Sequence, residues 1–154
     1  MYSSSAVGEV NVVTKMKAVN AVIGGEGNGG IIVPDLHYGR DSLIGIAIVL
    51  ANMATKNKNL AELKAQYPMY FMHKDKIKID PTINFEALLK YLSNEYNQAR
   101  INMVDGLKID FEDSWIHLRK SNTEPIIRIY SEAKSEMLAK NLVDNIKIKI
   151  ELYN

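Results

Sequence analysis

The chain has 154 residues, of which 47% are hydrophobic and 24% are charged, a balance typical of a globular protein. The formal net charge of +1 argues against a general nucleic-acid or membrane-surface binder, because such proteins normally carry a basic excess. The absence of cysteine excludes disulfides, thiolate metal sites and cysteine nucleophiles. The longest apolar stretch, residues 43–51, is too short to span a bilayer, and we expect a cytoplasmic protein.

The first thirty residues alternate short apolar segments with polar ones. Residues 15–20 predict a short amphipathic helix, and the apolar run 21–23, stopped by glycine, predicts a buried strand. Seven residues with five glycines follow (24–30), and residues 31–33 predict a second extended segment before Pro34.

The next helix is apolar on every side. Asp41 or Ser42 can cap it, and it runs to about Lys56. A helix of this kind is expected to be buried all round, yet the preceding residues supply little sheet to cover it. We therefore expect the N-terminal third to lack structural partners.

The segment beyond the polar residues 57–59 predicts a compact α+β unit. Four stretches alternate with a period of two and predict strands at 76–79, 107–111, 115–119 and 126–130. A helix capped by Asn84 lies between the first two, and a last helix starts near Ser135 and is expected to bury Leu138, Leu142 and Ile146. This order favours an antiparallel sheet with helices on one face.

The glycine-rich segment is the first candidate site. Gly25, Gly27 and Gly30 fit the dinucleotide pattern G-x-G-x-x-G, but an extended segment follows where a helix is needed, and no acidic residue lies about 20 positions on. A flexible turn is one interpretation. The other is a ligand-binding loop, in which Glu26 and Asn28 exchange hydrogen bonds with the hydroxyls of a sugar.

The segment from Arg119 to Arg128 is the second candidate. The two arginines can bind phosphate oxygens bidentately, and the Ser-Asn-Thr run at 121–123 adds donors within the same loop. A solvated polar hairpin is the alternative interpretation. The three histidines, His37, His73 and His117, lack the spacing of metal ligands, and we predict no metal site.

The two loops together resemble the C-terminal part of an α-D-phosphohexomutase, the family of phosphoglucomutases, phosphomannomutases and phosphoglucosamine mutases. Its sugar-recognition loop has a Gly-Glu-x-Ser/Asn-Gly form, which residues 25–29 match. Its phosphate-binding loop has an Arg-x-Ser-x-Thr-Glu-Pro-x-x-Arg form, which residues 119–128 match. The Gly-Glu-Gly-Asn-Gly-Gly form found here is closer to phosphoglucosamine mutase-like members.

The resemblance implies a division into two domains. Residues 1–58 correspond to the C-terminal half of the family's third domain, an α/β three-layer domain. Residues 59–154 correspond to its fourth domain, a TATA-binding-protein-like α+β domain with an antiparallel sheet and helices on one face. The phosphoserine motif and the Asp-x-Asp-x-Asp magnesium loop of the first two domains have no counterpart in this sequence.

The resemblance also implies a function. The whole enzyme would be an isomerase, an intramolecular phosphotransferase that interconverts hexose 1-phosphate and hexose 6-phosphate through a phosphoserine and a bisphosphorylated intermediate. It would use Mg²⁺, and a glucose 1,6-bisphosphate-type molecule could activate it. The residues present here hold no catalytic group, so we expect the chain alone to be inactive. The implied phosphate ligands are Arg119, Ser121, Asn122, Thr123 and Arg128. The implied sugar ligands are Glu26 and Asn28.

Two other functions stay open at this point. A non-catalytic module that binds sugar phosphates or other anions would make the same contacts. A nucleic-acid-binding sheet is disfavoured by the net charge and by the lack of a basic, aromatic-studded face in the sequence. The expected partners are a phosphorylated hexose, the N-terminal domains of the same protein and a second copy bound through the exposed half-domain, with neither nucleic acid nor membrane.

Overall fold

A computed structural model of the chain describes residues 2–78, 80, 83–121 and 124–153. It divides into two compact units, here called the N-terminal unit, which ends at Pro68, and the C-terminal unit, which begins at Met69. Each unit has an apolar cluster of its own. None of the helices in the described ranges has the length and apolar character needed to cross a membrane.

The N-terminal unit contains three helices and a minimal two-stranded ladder. Its elements in chain order are α1 (Glu9–Val19), β1 (Gly24–Gly25), β2 (Ile31–Ile32), α2 (Ser42–Lys56) and α3 (Leu60–Lys64). The strands β1 and β2 pair antiparallel, with Gly25 opposite Ile31. The buried cluster of this unit consists of Val12, Met16 and Ile32.

Helix α2 begins as its sequence predicts but is not buried. The Asp41 carboxylate accepts the backbone N–H groups of Leu43 and Ile44, and the bond from Ile44 is the main reason why the pKa of Asp41 lies below its usual range. No residue of α2 is buried, and Leu43 is 76% exposed. The apolar pattern calls for burial that this chain does not supply, which agrees with the expectation that the N-terminal third lacks structural partners.

The predicted strand at 21–23 is also wrong. Val22 is 83% exposed, and the ladder starts one residue after Ile23. Helix α1 ends at Asn20 in the left-handed conformation, which turns the chain, and the Met16 side chain then occupies the space beside Gly24. A Cβ at position 24 would lie 2.2 Å from the Met16 sulfur, so a residue without a side chain is required there.

The C-terminal unit is a five-stranded antiparallel sheet with two helices. Its elements are β3 (Phe71–Lys78), α4 (Phe85–Glu95), β4 (Arg100–Asn102), β5 (Leu107–Asp110), β6 (Trp115–Lys120), β7 (Ile126–Ala133) and α5 (Glu136–Tyr153). The strand order is β3-β7-β6-β5-β4. Helix α4 starts at the predicted cap, where the Asn84 side chain accepts the N–H of Ala87.

Alternation along the strands gives this sheet two different faces. One face carries fully buried residues such as Ile109, Leu118 and Ile129, and both helices contribute to the same cluster, for example through Leu92 and Ile146. The other face, here called the open face, carries the polar residues between them. This arrangement confirms the predicted α+β class with helices on one side of an antiparallel sheet.

Three details of the C-terminal unit differ from the prediction. Strand β3 begins at Phe71 and not at residue 76. Strand β4 was not predicted, because three residues are too few to show alternation. Helix α5 buries the predicted Ile146, and Leu142 packs against the core, but Ala139 and Val143 are buried as well and Leu138 is 52% exposed. The small Ala139 lets the helix approach β7, where the buried Ser131 hydroxyl donates a hydrogen bond of 2.7 Å to the Ala139 carbonyl.

Candidate functional site

The glycine-rich loop of the N-terminal unit is a tight turn organised by Glu26. The Glu26 N–H donates to the Gly30 carbonyl, and the Gly29 N–H donates to the Glu26 carbonyl, each at 3.1 Å. One carboxylate oxygen of Glu26 accepts the Gly8 N–H at 3.0 Å, and Gly8 is the residue that precedes α1. The carboxylate therefore joins this turn to the start of α1.

Asn28 and Arg40 lie beside the same turn. The Asn28 side chain accepts the Gly30 N–H at 2.9 Å, and its amide nitrogen is 3.5 Å from the second Glu26 carboxylate oxygen. Arg40 forms an ion pair of 2.7 Å with Glu9, and a Cβ at Gly30 would lie 2.9 Å from the Arg40 side chain. Asn28 is exposed and Glu26 is half-buried, so both predicted sugar ligands retain polar atoms that face solvent.

The phosphate-loop arginines are brought together by strand register. Strands β6 and β7 pair so that Arg119 lies directly opposite Arg128. Both side chains are on the open face, since the neighbouring Leu118 and Ile129 are fully buried on the core face. Like charges directly opposite each other on a sheet are destabilising, and an anion bound between them would offset that repulsion.

Each arginine has a carboxylate neighbour among the described residues. Arg119 is 3.3 Å from the Asp105 carboxylate, and Arg128 is 3.7 Å from that of Glu124. A guanidinium has five N–H donors, so one such contact orients the group without saturating it. Glu124 is 51% exposed.

The rest of the predicted phosphate loop is only partly described. Ser121 is 7% exposed, and its N–H donates to the Ile126 carbonyl at 3.0 Å, which closes the hairpin between β6 and β7. That N–H is therefore engaged within the protein. Asn122 and Thr123, the other two predicted phosphate ligands, lie outside the described residues.

Sequence reasoning missed Asp105, which positions the arginine end of β6. The turn between β4 and β5 approaches β6 closely, because Gly106 has a φ of +78° and a Cβ there would lie 2.1 Å from the Leu118 carbonyl. The Asp105 carbonyl accepts a hydrogen bond of 2.5 Å from the His117 ring, and its carboxylate contacts Arg119. The signal available in the sequence was Gly106, because glycine adopts a positive φ in a turn more readily than other residues do.

The open face of the sheet brings together cations and aromatic rings from four strands that are separated along the chain. Its central positions include Lys74, Lys76, Lys108, Arg119, Arg128, Trp115 and Tyr130. Asp110 and Glu132 lie on the same face, where Asp110 pairs with Lys108 and Glu132 accepts the ring N–H of Trp115, so the face is mixed in charge. A signal was present in the lysines at positions 74, 76 and 78, which alternate along one strand.

No metal centre is formed by the part of the chain that the structure describes. Within those ranges, no three His, Asp or Glu side chains come together as candidate ligands. The residues described thus do not fit a magnesium site.

Two family models match the chain. The first, described as phosphoglucomutase/phosphomannomutase alpha/beta/alpha domain III, matches residues 2–70. The second, described as the phosphoglucomutase/phosphomannomutase C-terminal domain, matches residues 50–149. The two ranges overlap at residues 50–70, which include the expected boundary at 58/59 and the division of the structure after Pro68, so the position of the boundary stays a prediction.

Individual relatives agree with these matches. A phosphoglucosamine/phosphogalactosamine mutase of Sulfurisphaera tokodaii is 38% identical over 147 residues, which are 94% of this chain and 32% of that protein. A phosphoglucomutase/phosphomannomutase of Thermococcus kodakarensis is 37% identical over 140 residues, which are 90% of this chain and 30% of that protein. The chain therefore spans about a third of the length of these relatives.

A solved structure shows the same fold. The phosphoglucomutase/phosphomannomutase family protein of Burkholderia thailandensis matches 95% of this chain with a TM-score of 0.74 and 23% identity, over 31% of its own length. The resemblance that the two loop motifs indicated is thus confirmed by matches that extend over nearly the whole sequence. From its loops, its fold and these matches, the chain belongs to the phosphoglucomutase/phosphomannomutase family.

Proposed function

We propose that this chain supplies the substrate-binding C-terminal part of a phosphohexomutase. The whole enzyme would interconvert hexose 1-phosphate and hexose 6-phosphate through a phosphoserine and a bisphosphorylated intermediate. The observation that carries the proposal is the register of β6 and β7, which sets Arg119 opposite Arg128 at the ends of the family's phosphate-loop motif. Two opposed guanidinium groups favour a dianionic phosphate over a neutral sugar.

The two loops would have different roles in binding. The phosphate would be held by Arg119, Ser121, Asn122, Thr123 and Arg128. The ring hydroxyls would be held by Glu26 and Asn28. Such binding serves phosphoryl transfer by positioning the substrate and by balancing its charge. The relative from Sulfurisphaera tokodaii acts, by its name, on amino sugars, which supports a hexosamine phosphate as substrate.

The groups that break and form bonds would come from elsewhere in the enzyme. The sequence contains no Ser-His-Asn-Pro and no Asp-x-Asp-x-Asp, and the described residues do not fit Mg²⁺. Both the metal and a glucose 1,6-bisphosphate-type activator are therefore proposed for the whole enzyme, in a cytosolic setting. We expect the chain alone to show no mutase turnover by ³¹P NMR, and measurable turnover would contradict this assignment of roles.

Binding can be tested directly with matched arginine variants. Arg119→Ala should weaken glucosamine 6-phosphate binding by roughly 10- to 100-fold in calorimetry, because it removes a charged bidentate contact. Arg100→Ala is the matched control, because Arg100 lies on β4, at the far edge of the same sheet. Equal affinities of the two variants would remove the loop from the proposed site.

A non-catalytic anion-binding module remains the second candidate, supported by the same missing motifs. It differs from the mutase in what the gene encodes upstream. We expect the reading frame that precedes Met1 to contain the phosphoserine and aspartate motifs. A stop codon there, with neither motif in a companion gene, would favour the module.

A further inference from the structure

The basic row on the open face continues beyond the phosphate loop. Lys76 on β3 lies directly opposite Arg128, which itself lies opposite Arg119, so three cations occupy adjacent register positions. Asp105 and Glu124 lie near the two arginines. In the described ranges, by contrast, no carboxylate pairs with the Lys76 ammonium group. Neighbouring like charges on one sheet face repel each other. At the β3 end of the row, where Lys76 lies, a bound anion would reduce that repulsion.

A pocket lies at this end of the row. It has a volume of about 380 Å³, and its lining residues are Lys74, Asp75, Lys76, Glu124, Ile126, Arg128 and Tyr130. Lys74 lies opposite Tyr130, with its ammonium group 5.5 Å from the ring centroid. Of the two carboxylates, Asp75 is paired with Lys147 at 2.5 Å and Glu124 is paired with Arg128 at 3.7 Å, so the ion pairs of both go to residues other than the two lysines.

We propose that this pocket is a second anion site, which binds a phosphate group between Lys74, Lys76 and Arg128. A phosphate offers several oxygens to donors that converge from two strands, whereas a carboxylate offers only two. Arg128 can serve both this pocket and the loop, because its guanidinium has donors on more than one edge. The site goes beyond the proposed function and does not require the loop to bind substrate.

The test is a titration of the whole 154-residue chain with inorganic phosphate, followed by ¹⁵N NMR at constant ionic strength. We expect the amide signals of residues 74–77 and 130 to move along a saturating curve. Lys76→Gln should weaken that apparent affinity roughly fivefold. Lys78→Gln is the matched control, since Lys78 is an exposed lysine on the same strand and face but outside the pocket lining, and it should change the affinity by less than about twofold.

The remaining outcomes of the titration distinguish the pocket at β3 from the phosphate loop. Signals of β3 that stay in place, drift without saturation, or respond equally in the two lysine variants would overturn the proposed pocket. The amides of residues 119–121 report on the loop separately. Saturation at β3 without a response in the loop would support the proposed pocket and contradict the proposed function. A response in the loop without saturation at β3 would support the proposed function and contradict the proposed pocket.

Discussion

The two units of this chain differ in how they use their apolar residues. The C-terminal unit gathers twelve of them from both helices and the central strands into one buried cluster. In the N-terminal unit, the described residues provide a cluster of three, and α2 leaves Leu43, Ile46 and Leu50 more than half exposed. The difference teaches that the sequence of an apolar helix is suited to a buried environment. The residues that bury the helix can lie outside its own unit.

The family description supports one reading of this contrast. The family model that matches residues 2–70 describes an alpha/beta/alpha domain. Such a domain contains more than the three helices and the ladder of two short strands that the N-terminal unit shows. We propose that the remainder of such a domain covers α2 in the whole enzyme. Self-association of this chain through the same helix is the competing proposal, and a concentration-dependent mass in sedimentation would support it.

The largest expected effect comes from one leucine substitution made in each unit. Leu92→Ala should lower the free energy of unfolding by about 3–4 kcal/mol, because Leu92 is fully buried and the change leaves a cavity. Leu43→Ala should change it by less than about 0.5 kcal/mol, because Leu43 is 76% exposed. Urea unfolding followed by circular dichroism measures both, and similar losses would mean that α2 is covered.

A pair of glycines gives the next effect. Gly106→Ala should cost about 2 kcal/mol, because its φ of +78° disfavours a side chain and a Cβ would lie 2.1 Å from the Leu118 carbonyl. Gly27→Ala should be nearly neutral, since no atom lies within 4 Å of a Cβ at that position. The same urea experiment compares them. Should Gly106→Ala prove harmless, the close approach of the turn to β6 would be wrong.

The smallest effect is a dependence of stability on pH. A hydrogen bond from Lys147, at 2.5 Å, is the main reason why the pKa of Asp75 lies below its ordinary value. A lowered pKa in the folded state means that the contact stabilises above pH about 4 and that this stability is lost as the pH falls further. We expect Asp75→Asn and Lys147→Gln each to flatten the fall in unfolding free energy between about pH 5 and pH 3. A slope as steep as that of the unmodified chain would rule out this pair as its source.

Local signals predicted the local structure well. The side chains of Asp41 and Asn84 cap the helices that their positions indicated, because a cap depends on residues only two or three positions away. Period-two alternation located β5, β6 and β7 for a similar reason. The failures depend on tertiary contacts: the ladder begins at Gly24, where a side chain would meet Met16, and α5 buries Ala139 where it approaches Ser131 while Leu138 stays exposed.

The candidate site divides in the same way. The motif from Arg119 to Arg128 is contiguous and was found in the sequence. The row that adds Lys76 to it requires the register of β3 against β7, which joins residues about fifty positions apart. The alternating lysines of β3 are visible in the sequence, but the strand and the residue that they face are not. Asp105 escaped notice because its role depends on a turn that is held against β6 by Gly106.

The most direct test of the central claim compares a phosphorylated sugar with its unphosphorylated form. In ¹⁵N NMR titrations of the 154-residue chain, glucosamine 6-phosphate should shift the amide signals of residues 119–121, 124 and 126–128, and glucosamine should not. Arg119→Ala should move saturation of these shifts to a roughly 10- to 100-fold higher concentration of glucosamine 6-phosphate, whereas Arg100→Ala should leave it unchanged. Equal shifts with both sugars, or equal saturation in the two variants, would contradict the assignment of this loop as the phosphate-binding part of a phosphohexomutase.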